Sequence, residues 1–190
     1  MGIALPYVTI VVWGKLTMFD PAQIANDTRF MIEQAATLAT AFTAAIAAFR
    51  SAVPGFDKRI LFLPIASLGL WLASVGHGCI QDWLQLGGDG LAVRPDWDCL
   101  PMATIIGIVP AAAIIVMLRK ATPLHPRLTL ALAALAVASI ANFGLQFAHV
   151  RDASIMVLVW HLGAAAVLAA LGGWLGKRVL RWEPNPLQLR

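Results

Sequence analysis

The chain has 190 residues, 59% of them hydrophobic and 13% charged, with fourteen Lys and Arg against ten Asp and Glu. Soluble domains hold roughly 45–50% apolar and about 25% charged residues. A water-soluble fold of this size could not hide so much apolar surface, whereas a bilayer can.

The charges are also clustered. No Asp, Glu, Lys or Arg lies in 60–81, 99–118, 128–150 or 153–176, and a shorter uncharged window covers 34–49 between Glu33 and Arg50. About 18–20 apolar residues cross a hydrocarbon core of roughly 30 Å, and only helices or closed barrels satisfy their backbone there. These windows are rich in Leu, Ala and Ile without strict alternation, so they read as helices. The expectation is an all-α fold: one domain, a polytopic membrane helix bundle of six transmembrane helices, N-in and C-in.

In chain order the helices are expected at about 1–19, 31–52, 60–80, 100–118, 127–150 and 153–176. The first is the weakest, because Met1 to Gly14 is uncharged and Lys15 then interrupts. Fourteen residues reach only about 21 Å. A signal peptide would need a basic start and a small-residue cleavage site; neither is present. The remaining readings are an interfacial segment and, the one favoured, a spanning helix whose beginning is missing. Glu33 and Arg50 are expected to extend their long stems to the interface.

The loops sort the basic residues. One side holds Arg50, Lys58, Arg59, Arg119, Lys120, Arg127, Lys177, Arg178, Arg181 and Arg190; the other holds Lys15, Arg29, Arg94 and Arg151. The positive-inside rule puts the first set in the cytoplasm of a bacterial inner membrane. The basic excess therefore reflects topology, and no direct nucleic-acid partner is expected.

In lipid, helices associate through small residues and polar side chains. Ala36, Thr40, Ala44 and Ala48 recur at four-residue spacing, as do Gly172 and Gly176. Both patterns read either as close-approach faces or as the coincidences of Ala-rich helices. Asn142, Gln146 and His149 share one face of the fifth helix. They serve either interhelical hydrogen bonding or a signal-relaying stripe. His161 stands alone in the sixth helix beside Trp160, a structural pattern and not a haem site. No cofactor is expected.

Two cysteines, Cys79 and Cys99, are expected at the outer ends of the third and fourth helices, separated by the longest outer loop. Consecutive helices are normally neighbours, so the sulfurs could meet. In an oxidising periplasm a disulfide is the default, and closing such a loop stabilises by roughly 3 kcal/mol. The alternative is a redox or metal switch in which each change of the thiols alters how the two helices meet. His77, His149 and His161 would then be auxiliary residues, and a transient metal site of Cys79, Cys99 and His77 is compatible with the residue types.

Four stretches carry a family resemblance. DTRFMIEQAATLATAFTAAIAAFRSAVPG (27–55), GHGCIQDW (76–83) with Pro64 and Trp71 before it, WDCLPM (97–102) and VWHLGAAAVLAALGGWLGKRVLRW (159–182) together resemble the NrsF family, negative regulators of sigma F. The resemblance implies a six-helix inner-membrane anti-sigma factor that holds an extracytoplasmic-function sigma factor. It implies sensing of oxidants or heavy metals through paired cysteines, matched here by Cys79 and Cys99. Two departures stand out. Family members usually begin with a cytoplasmic segment before the first helix, and Met1 here is expected to fall inside that helix, through either a misassigned start or a shortened paralogue. Many relatives also carry Cys-Pro after the histidine of the fifth helix, where this chain has Val150-Arg151.

Within the residues given, the expected partner-facing residues are Arg50, Lys58, Arg59, Arg119, Lys120, Arg127, Lys177, Arg178 and Arg181. A small transporter or channel is the first alternative, but its signal would be charges at membrane depth. A membrane thiol-redox protein is the second, but the chain has no CxxC pair. No nucleophile–base motif appears, so no enzymatic activity is expected.

Overall fold

The computed structural model describes Pro6, Tyr7, Ile10 and residues 27–88, 99–121, 123–147, 155 and 157–180, with the backbone alone at 99, 100 and 157. Among these residues the regular structure is entirely helical. The helices are α1 (Thr28–Ser51), α2 (Phe62–Leu86), α3 (Cys99–Lys120), α4 (Pro126–Gln146) and α5 (Gly163–Val179). A 3-10 turn, Lys58–Leu61, leads into α2, and a π-helical turn, Val157–Leu162, leads into α5. Five helical stretches are long and apolar enough to cross a membrane: Thr28–Ser51, Lys58–Leu86, Pro101–Lys120, Pro126–Gln146 and Leu158–Val179. The expected first span lies outside the described residues except for Pro6, Tyr7 and Ile10, and Tyr7 donates its hydroxyl proton to the Ile105 carbonyl of α3 at 2.7 Å.

Local chemistry sets the helix ends. Asp27 caps α1, its Oδ1 accepting from the Phe30 amide at 3.1 Å, which satisfies one of the orphan donors of a helix start. Asp57 does the same for the 3-10 turn through the Arg59 amide. Gly87, at φ 63°, ends α2, in a backbone region that favours glycine. Pro126 opens α4, where its missing N–H costs nothing.

α2 runs six residues past its expected end at 80, so Cys79 and Asp82 stand inside the helix rather than at its end. α1 likewise begins three residues before its expected start at 31, which brings Arg29 into its first turn. The stretch expected as the last helix begins, in the described residues, with the π-helical turn that carries Trp160 and His161.

α4 is the centre of the bundle, packed against α1, α3 and α5, while α2 packs on α1 and on the π-helical turn. The neighbours α1 and α4 run antiparallel in a readable register. Ser51 shares a hydrogen bond of 2.9 Å with Thr129, Ala44 and Ala45 pack with Ala136, Ala41 with Ile140 and Ala141, and Phe30 meets Phe147 edge to face. The alanine stripe is a close-approach face: Ala36, Thr40, Ala44 and Ala48 are all buried, and the stripe winds from α2 at Ala36 to α4 at Ala48. Gly172 and Gly176 let α5 cross α4 at backbone contact. A Cβ on Gly172 would lie 2.9 Å from the Leu130 carbonyl oxygen, and one on Gly176 would collide with that of Pro126.

By contrast the outer helices turn large apolar side chains outward, among them Phe62, Ile65 and Leu84 of α2, Ile108 and Met117 of α3 and Trp174 of α5. Exposed surface of that kind suits hydrocarbon and not water.

A candidate functional site around Cys79

The register separates two chemically distinct ends. At one end Ser51 meets Thr129, the Phe56 ring meets His125, and Arg119 Nε donates to the Val179 carbonyl at 2.9 Å. Arg50, Lys58, Arg59, Arg119, Lys120, Arg127, Lys177 and Arg178 are all exposed in this region. Two of the eight also have structural work. Arg119 occupies one of the carbonyls left open at the end of α5, and Arg178 lies over the Trp174 ring at 5.6 Å. Arg181 is outside the described residues.

At the other end α1 and α2 are joined by charge. Arg29 Nε donates to Glu33 Oε1 at 3.0 Å, and its Nη1 lies 3.6 Å from Asp82 Oδ1. The guanidinium fits over α2 because residue 78 is glycine: a Cβ there would collide with it. Glu33 is 8% exposed. Its carboxylate turns into the bundle and shares Arg29 with Asp82, instead of reaching for the interface. Burial of a carboxylate is costly without a partner, and Arg29 supplies a charge-assisted hydrogen bond.

Cys79 sits next to Gly78 and three residues before Asp82, half-buried against the cluster of Ala36, Trp71 and Val75. It is a free thiol. The cysteine thus lies at the α1–α2 contact, under the ion pairs that close it. His77 is exposed; residues two apart on a helix do not face each other, so the structure does not bring it together with Cys79. Among the described residues no group of three or more His, Cys, Asp or Glu side chains could hold a metal ion.

Cys99 begins α3 as expected, but its side chain lies outside the described residues, as does His149. α2 and α3 share no packed face among the described residues, since α2 leans on α1 and α3 on α4. His161 is half-buried in the π-helical turn. Asn142 and Gln146 are buried, as their spacing implies.

Sequence reasoning missed Arg29 and Glu33 as site residues, and took Asp82 only as a negative charge near the Cys79 thiol. The Arg29–Glu33 spacing of four was a readable signal for an ion pair on one helix face. Asp82 had no such signal, because its pairing depends on how α2 crosses α1.

Comparison with curated proteins and with solved structures gives no match. Among protein families, one described as negative regulator of sigma F matches residues 1–182. That match covers nearly the whole chain, including all five helices and the segment around Cys79, so the chain belongs to the NrsF family, whose role is negative regulation of a sigma factor.

Proposed function

We propose that this protein is a membrane-embedded anti-sigma factor. It holds an extracytoplasmic-function sigma factor inactive at the cytoplasmic face and releases it when oxidants or heavy metals modify Cys79 and Cys99. In this reading the protein sits in a bacterial inner membrane with both termini in the cytoplasm. The end carrying Arg29, Asp82 and Cys79 faces the periplasm, and the end carrying Arg50, Lys58, Arg59 and Arg127 faces the sigma factor. The role is regulatory and not catalytic.

The observation that carries the reading is the position of Cys79. Its thiol lies between α1 and α2, one residue from the glycine over which Arg29 sits. Oxidising or metallating that sulfur adds bulk and polarity at a packed contact. Because α1 also packs along α4, a change at the α1–α2 contact has a route to the basic turns. The family match supplies the sigma-factor partner, and the positive-inside rule supplies the orientation.

The test is a reporter driven by the sigma factor together with co-purification from detergent extracts. Cys79→Ser with Cys99→Ser is expected to leave the sigma factor bound in stressed cells, while the unaltered chain releases it. Release undiminished in the double variant would remove the cysteines from the mechanism. A membrane-impermeant thiol reagent on intact reduced spheroplasts reads the orientation: no labelling until the cells are broken would place Cys79 and Cys99 on the wrong side.

A further inference from the structure

Ser139, Asn142 and Gln146 lie at i, i+3 and i+7 on α4 and so share one helix face. They are 1%, 5% and 8% exposed. Neither amide has a hydrogen-bond partner at its oxygen or its nitrogen, and the Ser139 hydroxyl has none either. The Trp71 indole N–H, on a residue 2% exposed, is in the same condition. Buried polar groups in native proteins are almost always partnered by protein or by ordered water.

The α4 amides and Trp71 lie on either side of the first turns of α1. Ala41 packs with Ile140 and Ala141, and Phe30 meets Phe147, so the first three turns of α1 stand across from the last two turns of α4. Ala36, within those turns, clusters with Trp71 of α2 and with Leu158 and Leu162 of the π-helical turn. The α1 hydroxyls at this level, Thr37 and Thr40, are spent on the Glu33 and Ala36 carbonyls. The Gln34 amide of α1, 5% exposed, has no hydrogen-bond partner at its oxygen or its nitrogen either. A π-helical turn is itself a frequent mark of a functional site.

From this juxtaposition we propose that the junction of α1, α2, α4 and the π-helical turn is an internal binding site for small neutral hydrogen-bonding molecules, occupied by water. The donor set selects this class. Three carboxamides, a hydroxyl and an indole N–H offer both donors and acceptors and no formal charge. The nearest charges, Glu33 and Arg29, pair with each other, so ions and carboxylates find no unspent counter-charge here, whereas water can donate and accept at each group in turn. One water joining Asn142 to Gln146, which lie one turn apart, would satisfy two amides at once. Buried waters typically make about three hydrogen bonds to such groups. A hydrated junction also gives the α1–α4 contact exchangeable partners, so the helices can shift there without stripping polar groups of hydrogen bonds.

X-ray radiolysis of the full chain in lipid nanodiscs tests this, because bound water is converted to hydroxyl radical in place and oxidises its neighbours. Trp71 and Leu145 beside the site are compared with Leu118 and Leu130, which are likewise buried, near the opposite end of the bundle. Oxidation at the first pair is expected to run several-fold faster, and to fall to the level of the second pair in Ser139→Ala/Asn142→Leu/Gln146→Leu. Equal rates at the two pairs in the unaltered chain would overturn the proposal, whether or not the triple variant folds. The single variant Asn142→Leu gives an independent reading. Loss of water-bridged bonds lowers its unfolding midpoint, and a raised midpoint would mean that the amide is simply buried without partners, which refutes the site.

Discussion

Gly176→Ala probes the closest backbone contact that a glycine makes with a facing helix among the described residues. The added Cβ would stand 2.7 Å from Arg127 Cα and 2.8 Å from the Pro126 carbonyl carbon, in addition to its collision with the Pro126 oxygen. Carbon atoms prefer about 3.5–4.0 Å, so α5 must withdraw from α4 by about 0.8 Å. A gap of 0.5–1 Å already forfeits a quarter to a half of each contact along the seam. Overpacking costs roughly 1–3 kcal/mol, and the upper end applies because the opposing atoms are backbone and cannot rotate away. Replacing a helical glycine by alanine returns about 1 kcal/mol of propensity. The net loss is about 2 kcal/mol, a shift of about 25-fold in the unfolding equilibrium. Gly69→Ala on α2 is the internal control, since its Cβ would meet nothing within 4 Å, and it is expected to stabilise by up to about 1 kcal/mol through helix propensity alone. Reversible unfolding in mixed micelles, followed by circular dichroism against increasing SDS, measures both variants on one scale. Should Gly176→Ala prove as stable as Gly69→Ala, the α4–α5 backbone crossing described here would be wrong.

Removing the guanidinium in Arg29→Gln leaves Glu33 buried without its charged partner, at a cost of about 1.5–3 kcal/mol. The double variant Arg29→Gln/Glu33→Gln should recover most of that in the same unfolding assay, whereas equal losses in the two would deny the pairing. Ser51 and Thr129 are expected to couple weakly: a double-mutant cycle with Ser51→Ala and Thr129→Val should return about 0.6 kcal/mol, the average for interhelical hydrogen bonds in membranes. A coupling of zero would mean that the 2.9 Å bond is absent in lipid. Arg119→Met should raise amide hydrogen exchange at the end of α5, because the Val179 carbonyl loses its side-chain donor. Lys120→Met, one residue on, should leave that exchange unchanged.

Much of the helix layout was legible because lipid imposes a single rule on a backbone. Each of α1 to α5 falls on one of the charge-poor windows, although α2 ends six residues beyond its expected bound and α5 starts ten residues after its own. The exceptions have physical causes. α2 continues to Leu86 because nothing between Cys79 and Gly87 breaks a helix, and Asp82 is tolerated there since it faces Arg29. Glu33 also terminated an apolar window, yet its partner lies on its own helix, so the carboxylate turns inward.

The sequence by itself determined the composition class, the helices, the burial of Asn142 and Gln146 and the family, because periodicity and charge spacing are properties of neighbours along the chain. Tertiary structure alone decided which helices touch. It set α4 at the centre and placed α2 against α1 instead of α3, so that Cys79 lies under Arg29. It also left the buried amides of Gln34, Asn142 and Gln146 without protein partners. Those outcomes depend on how side-chain volumes such as the glycines at 78, 172 and 176 fit the facing helix, and spacing along one strand of sequence carries no record of the facing partner.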